Sequence, residues 1–189
     1  MAKKNKGLKV RKKDRIPLAE QEKPYYSETY GKVSTTDKYG RLTEQDALWI
    51  AAERIKNSDG DFTIYVGTDS QTHSDTKIVS VFIILEKGKG GFYFFTIDWT
   101  DRYGVEKLQD KIADETQRSI DLAHAVTNYM FENEVDVEVC IHADVGRGKH
   151  SKTKEMIGWV VAMIEAQGFD AEVKPMSWAA SSVADRISK

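Results

Sequence analysis

Three runs rich in β-branched and aromatic residues, at 62–69, 77–86 and 91–99, follow one another with only short polar or glycine-rich joints between them, notably Lys87-Gly88-Lys89-Gly90-Gly91. Joints this short allow only antiparallel neighbours, so the runs predict a three-stranded meander. A long helical pattern over about 105–133 comes next, then a strand at 135–144, a helix at about 152–167, a strand at 170–174 and a short terminal helix from Ser181. Helical connections of a dozen or more residues favour parallel strands. The chain therefore reads as an α/β protein with a mixed five-stranded sheet flanked by helices. A further helix over 44–57 precedes the meander, with Thr43 as its N-cap, Ala47, Leu48, Ala51, Ala52 and Ile55 at helical spacing, and Asn57-Ser58-Asp59-Gly60 as its stop.

With 189 residues, 40% of them hydrophobic, the chain supports one core of ordinary size. Residues 1–42 are polar and aperiodic, which predicts a loosely draped, flexible arm ahead of a single domain over 43–189. Residues 1–15 hold eight basic side chains against Asp14, a balance of +7, so the net charge of −2 leaves −9 on the remainder. A basic arm on an acidic body suits phosphate neutralisation without sequence readout, or simply aids solubility. Cys140 is the single cysteine and lies in a strand pattern, which excludes a disulfide framework and points to a reducing, cytoplasmic setting. The longest apolar run, VFIIL at 81–85, is too short for a membrane span, and the lysine-rich start lacks the apolar stretch of a signal peptide.

Acidic residues interrupt otherwise apolar patterns at four places. TIYVGTDSQ (63–71) and VEVCIHADVG (137–146) are β-rich runs in which Asp69 and Asp144 occupy equivalent places near the carboxyl end. Parallel pairing of these strands would set the two carboxylates side by side, where open α/β sheets place ligands. On the long helix, Leu108, Ile112, Ser119, Leu122, Val126 and Met130 step by three or four, and Glu115 shares their stripe whereas Asp114 does not. A carboxylate on a core-facing stripe must be paired, protonated or metal-bound, and an internal salt bridge is the plain alternative. Asp185 lies in Ser181-Ser182-Val183-Ala184-Asp185-Arg186, whose small residues permit close approach.

After Asp144, the residues Arg147, Lys149, His150, Lys152 and Lys154 make a basic run between glycines at 146 and 148, and Ser151 or Thr153 can cap the next helix. Such a segment suits a phosphate backbone, while an ordinary loop explains the glycines equally well. It lacks the spacing of a phosphate-binding P-loop. His142 precedes Asp144 by two residues, so strand alternation gives it the same face and a place beside the acids; an interior histidine with a hydrogen bond is the commoner case. His73 and His124 join no pattern, and the absence of the usual Cys/His spacing speaks against zinc. Ser70, in G-T-D-S-Q, is no hydrolase nucleophile elbow. Phe92, Tyr93, Phe94 and Phe95 alternate between two faces and read as core, as do Trp159 and Trp178.

The strings YVGTDSQ, IHADVGRGKHSKT and KPMSWAASSVADRISK resemble the YkuK-like family of the ribonuclease H-like superfamily, over roughly residues 43–189. The resemblance implies a ribonuclease H-like fold with an acidic quartet at Asp69, Glu115, Asp144 and Asp185. Phosphodiester cleavage by such a quartet calls for two Mg²⁺ or Mn²⁺ ions, with Asp69 bridging them, Glu115 and Asp144 on one and Asp185 on the other, so the first expectation is a nuclease or related phosphodiester-processing activity on RNA, DNA or hybrid. A non-catalytic nucleic-acid-binding module of the same fold is the second reading. An ATPase of actin type, faintly suggested by Asp144-Val145-Gly146, would require two such domains.

Overall fold

A computed structural model of the chain describes residues 26–27, 31–35, 42–72, 75–101, 108–146, 153–178, 183–184 and 187. Its elements are β1 (Tyr26–Ser27), β2 (Gly31–Thr35), α1 (Glu44–Lys56), β3 (Phe62–Thr72), β4 (Thr76–Glu86), β5 (Gly90–Thr100), α2 (Leu108–Glu132), β6 (Glu138–Gly146), a 3-10 turn at Lys154–Met156, α3 (Ile157–Glu165) and β7 (Asp170–Lys174). The strands make one mixed sheet in the order β1-β2-β5-β4-β3-β6-β7. The meander and the two later strands are all present. Two short strands from the polar segment before residue 43 lengthen the sheet, β2 pairing antiparallel with β5 from Lys32↔Ile97 to Thr35↔Phe94. Adding a strand to an open edge uses backbone donors and acceptors and needs no apolar period, so composition does not announce it.

Helix α1 begins where the capping residues dictate. The Asp46 amide donates to Thr43 Oγ1 at 3.0 Å, and the Thr43 amide donates to Asp46 Oδ2 at 3.2 Å, a reciprocal capping box. The β4–β5 turn is closed by Gly88 and Gly90, whose φ angles of 76° and 88° suit glycine alone. Helix α2 ends with Glu134 at a φ of 57° and with the Val135 amide donating back to the Met130 carbonyl at 2.8 Å. That C-cap takes up residues that the pattern assigns to the next strand, so β6 starts at Glu138 and not at 135.

Sheet alternation sorts the core into two faces. One face carries Ile64, Val66, Phe82, Ile84, Phe94, Ile141, Ala143 and Val145 and is covered by the apolar stripes of α1, α2 and α3. The other carries Val79, Val81 and Ile83, packed with Tyr65, Tyr93, Phe95, Ile97, Trp178 and Ala184. The aromatic run 92–95 thus serves both faces as core. Trp159 departs from expectation: it stands 45% exposed, on the side of α3 away from Ile157, Val160 and Ile164. The expected helix at 152–167 is divided into the 3-10 turn and α3. The terminal helix expected from Ser181 falls largely outside the described residues. Among the described residues, no helix is long and apolar enough to cross a membrane.

Candidate metal centre

The parallel pairing of β3 with β6 decides the geometry. Its register runs from Thr63↔Glu138 to Gly67↔His142. Asp69 and Asp144 each lie two residues beyond its last pair, and the charges of both reach Glu115. Asp69 is 9% exposed and Asp144 partly buried. Their neighbour from α2 is Glu115, 7% exposed on the stripe that also buries Ile112, Ser119, Leu122, Val126 and Met130. Glu115 and Asp144 line one narrow cavity with Thr68, Ser119 and Ala143.

Strong electrostatic frustration surrounds Glu115. Burial, reinforced by the charges of Asp69 and Asp144, pushes its carboxyl up to about 8 from the ordinary 4.5. Two contacts pull the other way without prevailing: the Ser70 hydroxyl donates to Glu115 Oε1 at 2.6 Å, and Lys111 Nζ lies 3.6 Å from the same oxygen. Lys111 also donates to the Ser70 carbonyl at 2.5 Å, tying α2 to the end of β3. Below, Ser119 donates to Thr68 Oγ1 and to the Glu115 carbonyl, and Thr68 shares a hydrogen bond with Ser80, so α2 docks on polar atoms at the level of the acids. Asp144 has its own cation, with Lys174 Nζ at 2.8 Å from Oδ1. Three carboxylates near one sheet end, with two lysines at their margin, offer the oxygen donors that hard cations take, but their oxygens do not all lie within 4.8 Å of one another.

Asp185 lies outside the described residues, as do Arg147, Lys149, His150 and Lys152. The chain on either side of that basic run is described: the Gly146 amide donates to Thr153 Oγ1 at 3.2 Å, joining its two ends at the carboxyl end of β6. Thr153 makes no side-chain cap for the following turn, and Ser151, the alternative cap, lies outside the described residues. His142 is fully buried, with the rings of Tyr65 and Trp178 at centroid distances of 4.6 and 5.5 Å and Glu172 Oε2 at 2.9 Å from its Nε2. Burial pushes its imidazole down to about 4, so it is neutral across the physiological range.

Comparison with known proteins agrees with this architecture. The family model described as Ribonuclease H-like matches residues 49–189. The chain belongs to the ribonuclease H-like family. It is also similar to an uncharacterized protein, YkuK, of Bacillus subtilis (strain 168), at 28% identity over 166 residues, covering 79% of this chain and 92% of the relative. No solved structure matches the chain. Membership supports a role connected with nucleic acid, the polymer that a ribonuclease H-like fold is suited to meet.

Sequence patterns missed two cations beside these carboxylates. Lys111 lies one turn before Glu115 on α2, and its i,i+4 spacing was the available signal. Lys174 meets Asp144 only because β7 pairs with β6. Among the described residues, donor atoms of Cys140, His142 and Glu172 all lie within 4.8 Å of one another. Local Cys/His spacing fails to show this because the third donor comes from a neighbouring strand.

Proposed function

We propose that this protein is a metal-dependent nuclease or related phosphodiester-processing enzyme acting on nucleic acid, with Mg²⁺ or Mn²⁺ held by Asp69, Glu115 and Asp144. Asp185 is proposed as the fourth acid and two ions as the full complement. The observation that supports the reading is the buried Glu115 carboxyl, on which the charges of both Asp69 and Asp144 act. All three offer carboxylate oxygens, the donors that hard cations take, and Glu115 and Asp144 share a cavity of about 10 Å³, room for roughly one water-sized guest; the three carboxylates would have to draw closer together to hold one ion. Bound ions of this class activate water and stabilise a leaving oxygen.

The chain's own groups prepare that chemistry. Ser70 orients Glu115 through its 2.6 Å hydrogen bond, and the buried Thr68–Ser119 pair holds α2 at fixed height above β3. Lys174, half-exposed beside Asp144, is placed to neutralise an incoming phosphate once the carboxylate has another partner. Arg147, Lys149, His150 and Lys152 are proposed to receive the phosphate backbone, because the segment that bears them leaves and rejoins the fold next to Asp144.

The test incubates the full-length protein with labelled RNA, DNA, hybrid and branched substrates, with and without Mg²⁺ or Mn²⁺, beside Asp69→Asn and Asp144→Asn. Metal-dependent cleavage lost in both variants, with unchanged circular dichroism, supports the proposal. Cleavage unaffected by either substitution overturns it. Salt-sensitive binding without metal-dependent cleavage would instead identify a binding module.

A further inference from the structure

We propose that Cys140, His142 and Glu172 form a second metal site, for a thiophilic transition ion of the zinc class, clasping β6 to β7 on the face of the sheet that carries Tyr65 and Trp178. Cys140 and His142 are two apart on β6 and so project to one face. Glu172 reaches them from β7, where the parallel register pairs Cys140 with Asp170 and His142 with Glu172. One sulfur, one imidazole nitrogen and one carboxylate oxygen lie within 4.8 Å of one another, and His142 Nε2 is already 2.9 Å from Glu172 Oε2.

Tetrahedral ligands at zinc-like bond lengths stand about 3.3–3.8 Å apart, so donors within 4.8 Å need at most roughly an ångström of adjustment, and the 2.9 Å His142–Glu172 pair must open slightly. Glu172 can supply that movement, since its side chain is 38% exposed whereas His142 is fully buried. The same exposure leaves an entry path from solvent. Sulfur and nitrogen donors select zinc-like ions over Mg²⁺ or Mn²⁺, which distinguishes this cluster chemically from the all-carboxylate site.

The local potential favours a cation as well. Burial, with the charges of Glu172, Asp170 and Glu138, pushes the Cys140 thiol up to about 12, while a hydrogen bond from the Glu172 amide favours the thiolate. Acids that oppose a bare thiolate attract a metal ion to the same place. The thiol presently donates to the Asp170 carbonyl at 3.5 Å. On binding, that S–H bond breaks, its proton leaves to solvent, and its electron pair forms the metal–sulfur bond.

Co²⁺ serves as the spectroscopic probe. Because Cys140 is the single cysteine, a thiolate-to-cobalt charge-transfer band reports on this residue unambiguously. Titration of metal-free, full-length protein is expected to give such a band, saturating at one equivalent, bleached by Zn²⁺, unaffected by excess Mg²⁺ and retained in Asp69→Asn. Cys140→Ser abolishes it. Glu172→Gln, at a half-exposed position that does not endanger folding, weakens Co²⁺ binding by at least roughly tenfold, the smaller loss that even an outer-shell partner causes. No band in the folded wild type, or equal affinity in Glu172→Gln, overturns the proposal.

Discussion

Replacing Glu115 with glutamine isolates the electrostatic cost of the buried carboxyl while keeping its shape and an oxygen to accept from Ser70. In the unfolded chain this group releases its proton near 4.5; in the fold it does so only at about 8. Between those values the native state binds more proton than the unfolded one, so stability falls as pH rises, and levels off above the native value. Each pH unit in that window is worth about 1.36 kcal/mol, giving roughly 5 kcal/mol in full. Urea denaturation in EDTA, from about pH 4 to about pH 9, measures it. Wild type and Glu115→Gln should converge at the acid end and diverge steadily, with the variant more stable by about 3–5 kcal/mol at the alkaline end. Mg²⁺ should restore wild type selectively, because a cation bound to the charged form offsets the same repulsion from Asp69 and Asp144. Parallel curves, or a variant that loses stability with rising pH relative to wild type, would refute the electrostatic account of this site.

Arg118 is buried on α2, with its Nε 2.6 Å from Asp114 Oδ2 and its Nη1 3.0 Å from Asp98 Oδ2 on β5. Arg118→Ala leaves two largely buried carboxylates without that cation and should cost about 3 kcal/mol in denaturant unfolding; a change below about 0.5 kcal/mol would show that water replaces the guanidinium. Lys174→Met removes the ammonium that competes for Asp144, and Mn²⁺ affinity measured by calorimetry should rise about twofold to fivefold, the scale of a half-exposed ion pair. Weaker binding would mean that Lys174 supports the ion and does not compete with it.

Much of this architecture follows from local pattern. The Thr43–Asp46 capping box starts α1 one residue after Thr43, and alternation in 62–69, 77–86 and 91–99 locates the meander to within a few residues. Helical phase alone places Glu115 among Ile112, Ser119 and Leu122, because a 3.6-residue period states which face of a helix is buried. The boundaries that moved did so for local hydrogen-bonding reasons, as where Val135 is drawn back into the α2 cap.

Chemistry-bearing partners are a different matter. Periodicity assigns a residue to a face but says nothing about what stands across from it, since cross-strand neighbours depend on the register of the whole sheet. From its residues alone, the protein was determined to be a helix-covered mixed sheet with acids near two strand ends and one carboxylate on a buried helical stripe. Only the tertiary structure decided that β2 extends the edge at β5, that Lys174 meets Asp144, and that Glu172 stands beside Cys140 and His142. Those contacts arise from backbone pairing between segments remote in sequence, where side-chain pattern exerts no direct control.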